Sequence, residues 1–278
     1  MTQKSVPLTV SSPNSDNAPG CNRCKDLEEL DFDFTFAYQP IVDIHARAIF
    51  AHEALVRGPN GETAWSVLAK VNADNRYRFD QGCRVKAVML AAQLGMKEFL
   101  SINFLPNAVY QPEACIRSTF EAATKYNFPK ERIIFEVVEG ENVTDRPHLI
   151  NIFREYQRFG FQTAIDDFGA GYAGLNLLAE FQPDIIKIDM ELVRNINDSK
   201  PKQAIVEAIV HLCRQLNMEA LAEWIETPQR SGIFCRQWGH ADAGLSVLQT
   251  RVSGHRPDCR SCLVITTGLS VKDNPAHR

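Results

Sequence analysis

Two adjacent aspartates, Asp166 and Asp167, end an apolar segment in the stretch QTAIDDFGAGYAGL. Gly169 and Gly171 follow them, and glycine adopts backbone angles that other residues resist. Neighbouring carboxylates at the end of a strand repel each other and are costly to desolvate unless a cation lies between them. The pattern therefore fits either a solvated surface turn or a cation site, and the rest of the chain decides between the two.

Polar residues recur in the other apolar segments, about once in each. The residues that share this pattern are Glu53 in HEALVR, Asn103 in SINF, Glu136 in IFEVVE, Lys187 and Asp189 in IIKIDM, and Glu223 in LAEW. Burying so many carboxylates together is costly unless metal ions neutralise them. Oxygen ligands without histidine or thiolate favour Mg²⁺ or Mn²⁺.

These oxygens suffice for two ions, an arrangement suited to phosphodiester hydrolysis. Lys187 is a candidate for orienting the attacking water or helping it lose its proton. Arg57 lies two residues after Leu55 on the face of Glu53. Its planar guanidinium suits a phosphate oxygen.

Strand-like and helix-like segments alternate along the chain. The predicted strands are 35–44, 48–58, 99–106, 133–139, 162–165, 184–190 and 219–226. The predicted helices are 64–71, 79–95, 112–126, 146–159 and 202–216, the last with apolar Ile205, Ile209, Leu212 and Leu216 at helical spacing. Such alternation predicts a parallel sheet covered by helices, either a (β/α)8 barrel or a doubly wound sheet. Polar residues at the ends of several different strands favour the barrel, because barrel enzymes draw their ligands from there.

The composition is that of a globular protein, with 278 residues, 45% hydrophobic and 23% charged. A net charge of −4 gives no reason to expect binding to duplex nucleic acid. No apolar run is long enough for a spanning helix, and the N-terminus has no signal-peptide core, so we expect a cytoplasmic protein. Residues 1–30 are polar and predict a tail.

The eight cysteines raise the alternative of a zinc protein. Cys83, Cys115 and Cys213 lie in apolar helical patterns and are expected in the core. The pairs Cys21/Cys24 and Cys259/Cys262 have the CxxC spacing of a four-thiolate zinc site. They stand at opposite ends of the chain, which argues against one site, and the role of the first pair stays open.

Seven motifs resemble the EAL-domain family in order and spacing, over about Phe36 to Gln229: YQPIVD, EALVRG, SINF, FEVVE, AIDDFGAGYAGL, PDIIKIDM and AEWIET. The resemblance implies a modified (β/α)8 TIM-like barrel with an antiparallel first strand. It also implies a phosphodiesterase that cuts cyclic di-GMP to linear pGpG with two Mg²⁺ or Mn²⁺ ions.

The resemblance also assigns roles to individual residues. It makes Glu53, Asn103, Glu136, Asp166, Asp167 and Glu223 metal ligands, with Glu53 and Glu223 serving catalysis beside the water-activating Lys187. It makes Gln39, Leu55, Arg57 and Asp189 substrate contacts, and Glu139 the anchor of the loop after Asp167. Family members often form homodimers, which we expect here too.

The chain departs from the family at two places. Trp224 stands where the family has glycine, next to Glu223. After Gln229 the resemblance stops, and WGHADAGLSVLQTR replaces a strand that reads roughly LMQGYLFSRP in the family. Codons for Ala243–Arg251, read one base later, can spell QGYLFSRP, and we therefore predict a frameshift; the alternative is a genuinely divergent C-terminus.

A frameshift has consequences for the domain layout. We expect a barrel domain at 31–250 without its proper eighth strand, followed by a tail at 251–278 that is foreign to the family. The segment LVIT at 263–266 could fill the gap only poorly. We predict low stability and reduced or absent turnover. The main alternative is thus an impaired module that binds cyclic di-GMP and acts through a protein partner; a barrel without nucleotide would make the strand-end carboxylates coincidental.

Overall fold

A single sheet of eight strands forms the centre of the fold. The computed structural model describes residues 30–43, 46, 48–138, 145–171, 174–222 and 245–247. The strands, in chain order and also in sheet order, are β1 (Thr35–Asp43), β2 (Ala48–Arg57), β3 (Phe99–Asn103), β4 (Ile133–Val138), β5 (Gln162–Phe168), β6 (Ile185–Ile188), β7 (Glu219–Ala222) and β8 (Leu245–Val247).

Strand β1 runs antiparallel to β2, and every later neighbour is parallel. Cα atoms of β1 and β8 come within 8 Å of each other, so the sheet curls until its first and last strands are neighbours. The predicted modified barrel with an antiparallel first strand is confirmed.

The eighth strand corrects one expectation. We expected no proper eighth strand, yet Leu245–Val247 pairs in parallel with Ala220–Ala222 of β7. Backbone hydrogen bonds need no particular side chains, so a short segment beside an open strand edge can pair with it. The strand is only three residues long, and the segment 263–266 lies outside the described residues.

Helices follow most of the strands and cover the outside of the sheet. They are α1 (Ala64–Leu68), α2 (Arg76–Gln93), α3 (Pro112–Cys115), α4 (Arg117–Lys125), α5 (Arg146–Arg158), α6 (Gly174–Glu180), α7 (Met190–Val193) and α8 (Lys200–Gln215). Several begin at capping side chains; Asp145, for example, accepts a hydrogen bond from the His148 amide at the start of α5. These caps fix where the chain leaves each loop.

The buried face of α8 differs in part from the apolar face predicted from the sequence, which included Ile205. Val206, Val210 and Cys213 are buried, whereas Ile205 is 46% exposed. Apolar residues occupy several sides of this helix, so two overlapping faces satisfy the helical period. Packing against the sheet selects one of them.

The sequence GAGYAG at 169–174 has the GxGxxG spacing of dinucleotide-binding sheets and also stands between a strand and a helix. The strand order nevertheless excludes that architecture, because a doubly wound sheet reverses its order at a switch point. Here the order runs from β1 to β8 without reversal. The spacing alone would have been misleading.

The barrel interior contains a layer of apolar side chains, which we call the apolar layer. Each member comes from a different strand: Ile41, Ala51, Ile134, Ala164, Ile185 and Leu221. The larger cluster lies between the sheet and the helices and includes Phe135, Phe153, Ile165 and Ile186. It also takes in Cys83, Cys115 and Cys213, which are buried in the core, as expected.

Within the described part of the chain, no helix has the length and apolarity that a membrane crossing requires. Both CxxC pairs lie outside the described residues. The structure therefore does not test the alternative of a zinc site.

Candidate functional site

Charged residues form a second layer inside the barrel, two residues further along several strands than the apolar layer. Glu53, Glu136, Asp166 and Lys187 follow Ala51, Ile134, Ala164 and Ile185 at this spacing. Because side chains alternate along a strand, residues two apart share a face. We call this set the ionic layer. It lies toward the C-terminal ends of the parallel strands, where barrel enzymes hold their sites.

Lys187 joins the members of the ionic layer. Its Nζ lies 2.5 Å from Glu136 Oε2, 3.0 Å from Asp166 Oδ2 and 3.7 Å from Glu53 Oε2. Lys187 is 2% exposed and Glu136 is fully buried. One ammonium faces three carboxylates, so the layer carries excess negative charge when all four groups are ionised.

Asn103 extends the ionic layer to β3. Its Nδ2 donates a hydrogen bond of 2.9 Å to Glu53 Oε1. The register places Asn103 opposite Glu136, and Ser101, two residues earlier, opposite Glu53. The predicted residues of four strands are thus brought together with an amide from a fifth.

The three carboxylates are arranged for a cation. One oxygen each from Glu53, Glu136 and Asp166 lies within 4.8 Å of the others. Oxygens on opposite sides of a Mg²⁺ ion stand about 4.2 Å apart, given Mg–O distances near 2.1 Å. Glu136 Oε1 is buried and has no hydrogen-bond partner among the described residues. A buried carboxylate oxygen without a donor is costly, and a metal ion would remove that cost.

Glu136 has the most perturbed carboxyl group of the ionic layer. Burial raises its pKa well above the ordinary value, and Lys187 opposes that rise. The negative charges of Glu53 and Asp166 raise the pKa further. Ionised and protonated forms of this group are therefore closer in free energy than in water, as is common at functional sites.

Asp167 leaves the regular strand geometry. Its φ of 53° lies in the left-handed region, and its amide donates to Asp166 Oδ1 at 2.8 Å. Burial raises the pKa of Asp167, and the charges of Asp166 and Asp189 add to the rise. Such a conformation is uncommon outside glycine and turns Asp167 away from the alternation of β5.

Gly169 closes the same turn with a φ of 105°. A Cβ atom there would stand 2.6 Å from Leu192 Cδ1 of α7. We expect Gly169→Ala to lower the free energy of unfolding by about 2–4 kcal/mol, because backbone strain and overpacking add. Urea unfolding measures this.

Gly61→Ala is the matched control for that substitution. Gly61 has a φ of 89°, and its Cβ would meet nothing within 4 Å. Its free energy of unfolding should fall only by the contribution of backbone strain. Equal losses for the two variants would contradict the role given to Leu192.

The predicted substrate residues surround the ionic layer. Gln39 pairs with Glu53 across the β1–β2 ladder, and Leu55 and Arg57 continue the face of Glu53 at the end of β2. All three are partly exposed. Arg57 Nη1 also donates to the carbonyl of Val56 at 2.7 Å. Asp189 caps α7 by accepting from the Glu191 amide at 3.0 Å, a structural role that sequence reasoning did not foresee.

Three residues of interest lie outside the described part of the chain: Glu139, Glu223 and Trp224. Their predicted roles stay predictions. Leu221, two residues before Glu223, belongs to the apolar layer, as the period of two requires if Glu223 continues the ionic layer.

Sequence reasoning missed two charged residues next to the site, Asp80 and Arg84 of α2. Both are buried. Their shared helical face with Ala87, Val88 and Ala91, which are buried too, could have indicated burial, but not which strands the two side chains contact.

Comparison with known proteins gives one family. The family model for the EAL domain matches residues 27–234. The chain is 35% identical over 196 residues to the blue light- and temperature-regulated antirepressor BluF of Escherichia coli K12, covering 70% of this chain and 48% of BluF. It is 29% identical over 140 residues to the cyclic di-GMP phosphodiesterase PdeB of Shewanella oneidensis, covering 50% of this chain and 16% of PdeB. The chain thus spans less than half the length of these two relatives.

Solved structures agree with the sequence comparison. A standalone versatile EAL protein from Vibrio cholerae O395, in a c-di-GMP-bound form, is 48% identical with a TM-score of 0.73, covering 83% of this chain and 98% of that one. Klebsiella pneumoniae BlrP1, in a manganese/cy-diGMP complex, is 36% identical with a TM-score of 0.68, covering 74% and 53%. With its barrel, its Glu53-Ala54-Leu55 signature and the family model matched over most of its length, the chain belongs to the EAL-domain family.

Proposed function

We propose that this protein hydrolyses cyclic di-GMP to linear pGpG in bacterial second-messenger signalling. One observation carries the proposal: three carboxylates converge within 4.8 Å at the end of the barrel where EAL signature residue Glu53 lies. A relative named as a cyclic di-GMP phosphodiesterase and two neighbours bound to the dinucleotide support the substrate.

The ionic layer fits Mg²⁺ or Mn²⁺. Its donors are oxygens, it has excess negative charge, and Glu136 Oε1 lacks a partner among the described residues. We propose Glu53, Asn103, Glu136, Asp166, Asp167 and Glu223 as the residues that hold two ions. When bound, such ions neutralise charge on the phosphate and lower the pKa of a water molecule. BlrP1 with manganese supports this choice of metal.

Lys187 has its own task in the proposed reaction. A protonated lysine donates three hydrogen bonds and accepts none, so it can hold a water oxygen while the carboxylates take the other donors. It also balances part of the negative charge before any cation arrives. We propose Lys187, with Glu53 and Glu223, as the residues that serve the chemical step.

Gln39, Leu55, Arg57 and Asp189 are proposed to bind the dinucleotide. Arg57 follows Glu53 on the same face of β2, two pleats further toward the open end of the barrel. A guanidinium there can bind a phosphate oxygen through two parallel hydrogen bonds. Gln39 lies directly across the ladder from Glu53 and offers an amide for a base or sugar.

A second function has a specific observation in its favour. BluF, which is 35% identical over 196 residues, is named as an antirepressor. Trp224 and the altered C-terminus point the same way, since Trp224 adjoins the proposed metal ligand Glu223 in the sequence and the family's eighth strand is replaced. In this alternative, the module binds cyclic di-GMP and acts through a protein partner without turnover. We further propose a homodimer, on the strength of the family alone.

One experiment separates the two functions. Purified protein is incubated with cyclic di-GMP and Mn²⁺, and pGpG is measured by chromatography; nucleotide binding is measured in parallel with EDTA. The enzyme is expected to form pGpG, at a rate lowered by the altered C-terminus, and Glu53→Gln to abolish it while leaving binding in EDTA within a few-fold. Binding without any pGpG would overturn the enzymatic proposal in favour of the binder. Sedimentation velocity of the same sample tests the dimer.

A further inference from the structure

A buried ion pair lies directly behind the wall of the barrel that carries the site. Asp80 and Arg84 stand one turn apart on α2, and Arg84 Nη2 is 2.7 Å from Asp80 Oδ2. Their exposures are 2% and 0%. The pair lies on the helix side of the sheet, whereas the ionic layer faces the barrel interior.

Asp80 is bonded to the segment that follows Asn103. Its Oδ1 accepts a hydrogen bond of 2.9 Å from the amide of Leu105, two residues after Asn103. The residue between them, Phe104, donates its amide to the carbonyl of Glu136 at 3.0 Å. The exit from β3 is therefore tied both to α2 and to the neighbouring strand.

Arg84 contacts the reverse side of both strands. Its guanidinium carbon lies 5.5 Å from the centre of the Phe104 ring and 5.1 Å from that of Phe135. Phe104 follows Asn103, and Phe135 precedes Glu136. Since side chains alternate along a strand, a group that packs on these rings supports the backbone from which Asn103 and Glu136 point inward.

A third contact fixes the guanidinium itself. Arg84 Nη1 donates to the hydroxyl of Tyr156 on α5 at 2.6 Å. Two helices thus hold one cation against two strands.

The energetics argue against a purely stabilising role. Desolvating two charges offsets most of their attraction, and apolar residues of similar volume are often as stable or more so. An ion pair instead restricts the orientation of the groups it contacts, because hydrogen bonds and stacking have preferred angles and apolar contacts do not.

We propose that Asp80 and Arg84 are positioning residues that set Asn103 and Glu136 for metal binding. This inference rests on the proposed function, in which those two residues hold metal. Groups hydrogen-bonded to metal ligands typically contribute 10–100-fold to metal affinity. Asp80 and Arg84 act one step further out, through the backbone of the two ligands, and ligands must be held within about 0.5 Å of their productive positions.

The test measures Mn²⁺ affinity without nucleotide, by titration calorimetry on the full chain, beside thermal unfolding in EDTA. Asp80→Asn is expected to weaken Mn²⁺ binding by about 10–100-fold. This variant also leaves Arg84 uncompensated, and a buried positive charge would itself repel Mn²⁺. The double variant D80N/R84M removes both charges and leaves the net charge unchanged, and it also serves if D80N alone does not fold.

Asp184→Asn is the control for lost stability. The Asp184 carboxylate accepts from the Thr163 amide at 2.7 Å and the Thr163 hydroxyl at 2.9 Å, at the opposite end of the barrel strands. This variant should unfold at lower temperature and bind Mn²⁺ like the wild type.

The outcomes are distinguishable. A loss of Mn²⁺ affinity in both D80N and the double variant supports positioning. Wild-type affinity in the double variant overturns it and leaves the pair a structural or purely electrostatic role. If the wild type itself binds no Mn²⁺, the metal assignment of the proposed function fails instead.

Discussion

Replacing Lys187 by methionine is expected to destabilise the metal-free protein by about 3–5 kcal/mol, since breaking a buried ionic cluster on one side leaves its charges uncompensated. Lys187 is 2% exposed and faces Glu53, Glu136 and Asp166, all within 3.7 Å. Without the ammonium, three carboxylates face each other inside the barrel. Urea unfolding in EDTA measures the loss.

Divalent metal should reverse much of this loss. A ligand that binds only the folded state stabilises it by mass action, and the carboxylates of K187M have no internal cation to compete with the metal. We therefore expect a larger rise in unfolding free energy with Mn²⁺ for K187M than for the wild type. Turnover of cyclic di-GMP should nevertheless fall by about 10²–10⁴-fold, the usual contribution of a positioned proton-handling group.

The control is Lys125→Met, at an exposed position near the end of α4. Exposed charges contribute little, so its stability should change by less than about 0.5 kcal/mol. A metal-free K187M as stable as the wild type would contradict the role given to Lys187 in compensating the three carboxylates.

Restoring the predicted reading frame is expected to have the second large effect. Strand β8 lies within Ala243–Arg251, the segment whose codons can spell QGYLFSRP one base later. In that frame, tyrosine, leucine and phenylalanine stand at the positions of Leu245, Ser246 and Val247. Burying one or two more large apolar side chains contributes roughly 3 kcal/mol, which corresponds to a rise in Tm of about 6–12 °C for a chain of this size.

Turnover should rise with stability in the restored chain. Strand β8 pairs with Ala220–Ala222, the residues immediately before Glu223, so a longer β8 holds the end of β7 more firmly. We expect at least about a tenfold gain in pGpG formation, because loosely held catalytic groups are costly. Calorimetry and the chromatographic assay measure the two quantities.

Trp224→Gly in the unrestored chain is the control that separates the two departures from the family. If crowding by the indole is the main defect, this variant alone regains turnover and its Tm hardly changes. Equal Tm and equal turnover for the original and the restored chain would refute the predicted frameshift, as would coding DNA that cannot yield the shifted motif.

The fold followed from the sequence because β2, β4, β5 and β6 each carry a charged residue two positions after an apolar residue that faces the barrel interior. Glu53, Glu136 and Asp166 could be placed together before any coordinates, since only the ends of barrel strands bring such residues into contact. The period of two predicted which side chains face the barrel interior, and the order of the motifs predicted which strands are neighbours.

What could not be foreseen depends on packing between elements. Asp80 and Arg84 are charged residues in a helix, and sequence alone does not show that α2 turns them toward Phe104 and Phe135. The same holds for α8, where Val206 is buried and Ile205 exposed although both are apolar. Strand β8 escaped prediction for a different reason: an open edge can pair with a backbone of almost any sequence.

The apolar layer and the ionic layer stand two residues apart on the same strands, so both depend on which alternate positions of a strand face the barrel interior. Inserting one residue before Phe135 in β4 would turn Phe135 into the interior and Glu136 toward the helices, because a one-residue slip exchanges the two faces of a strand. Inserting two would keep the faces and raise the carboxylate by one pleat. Point substitutions can therefore change the site one residue at a time. Inserting or deleting an odd number of residues within a strand instead moves its charged residue to the helix side and an apolar residue into the site.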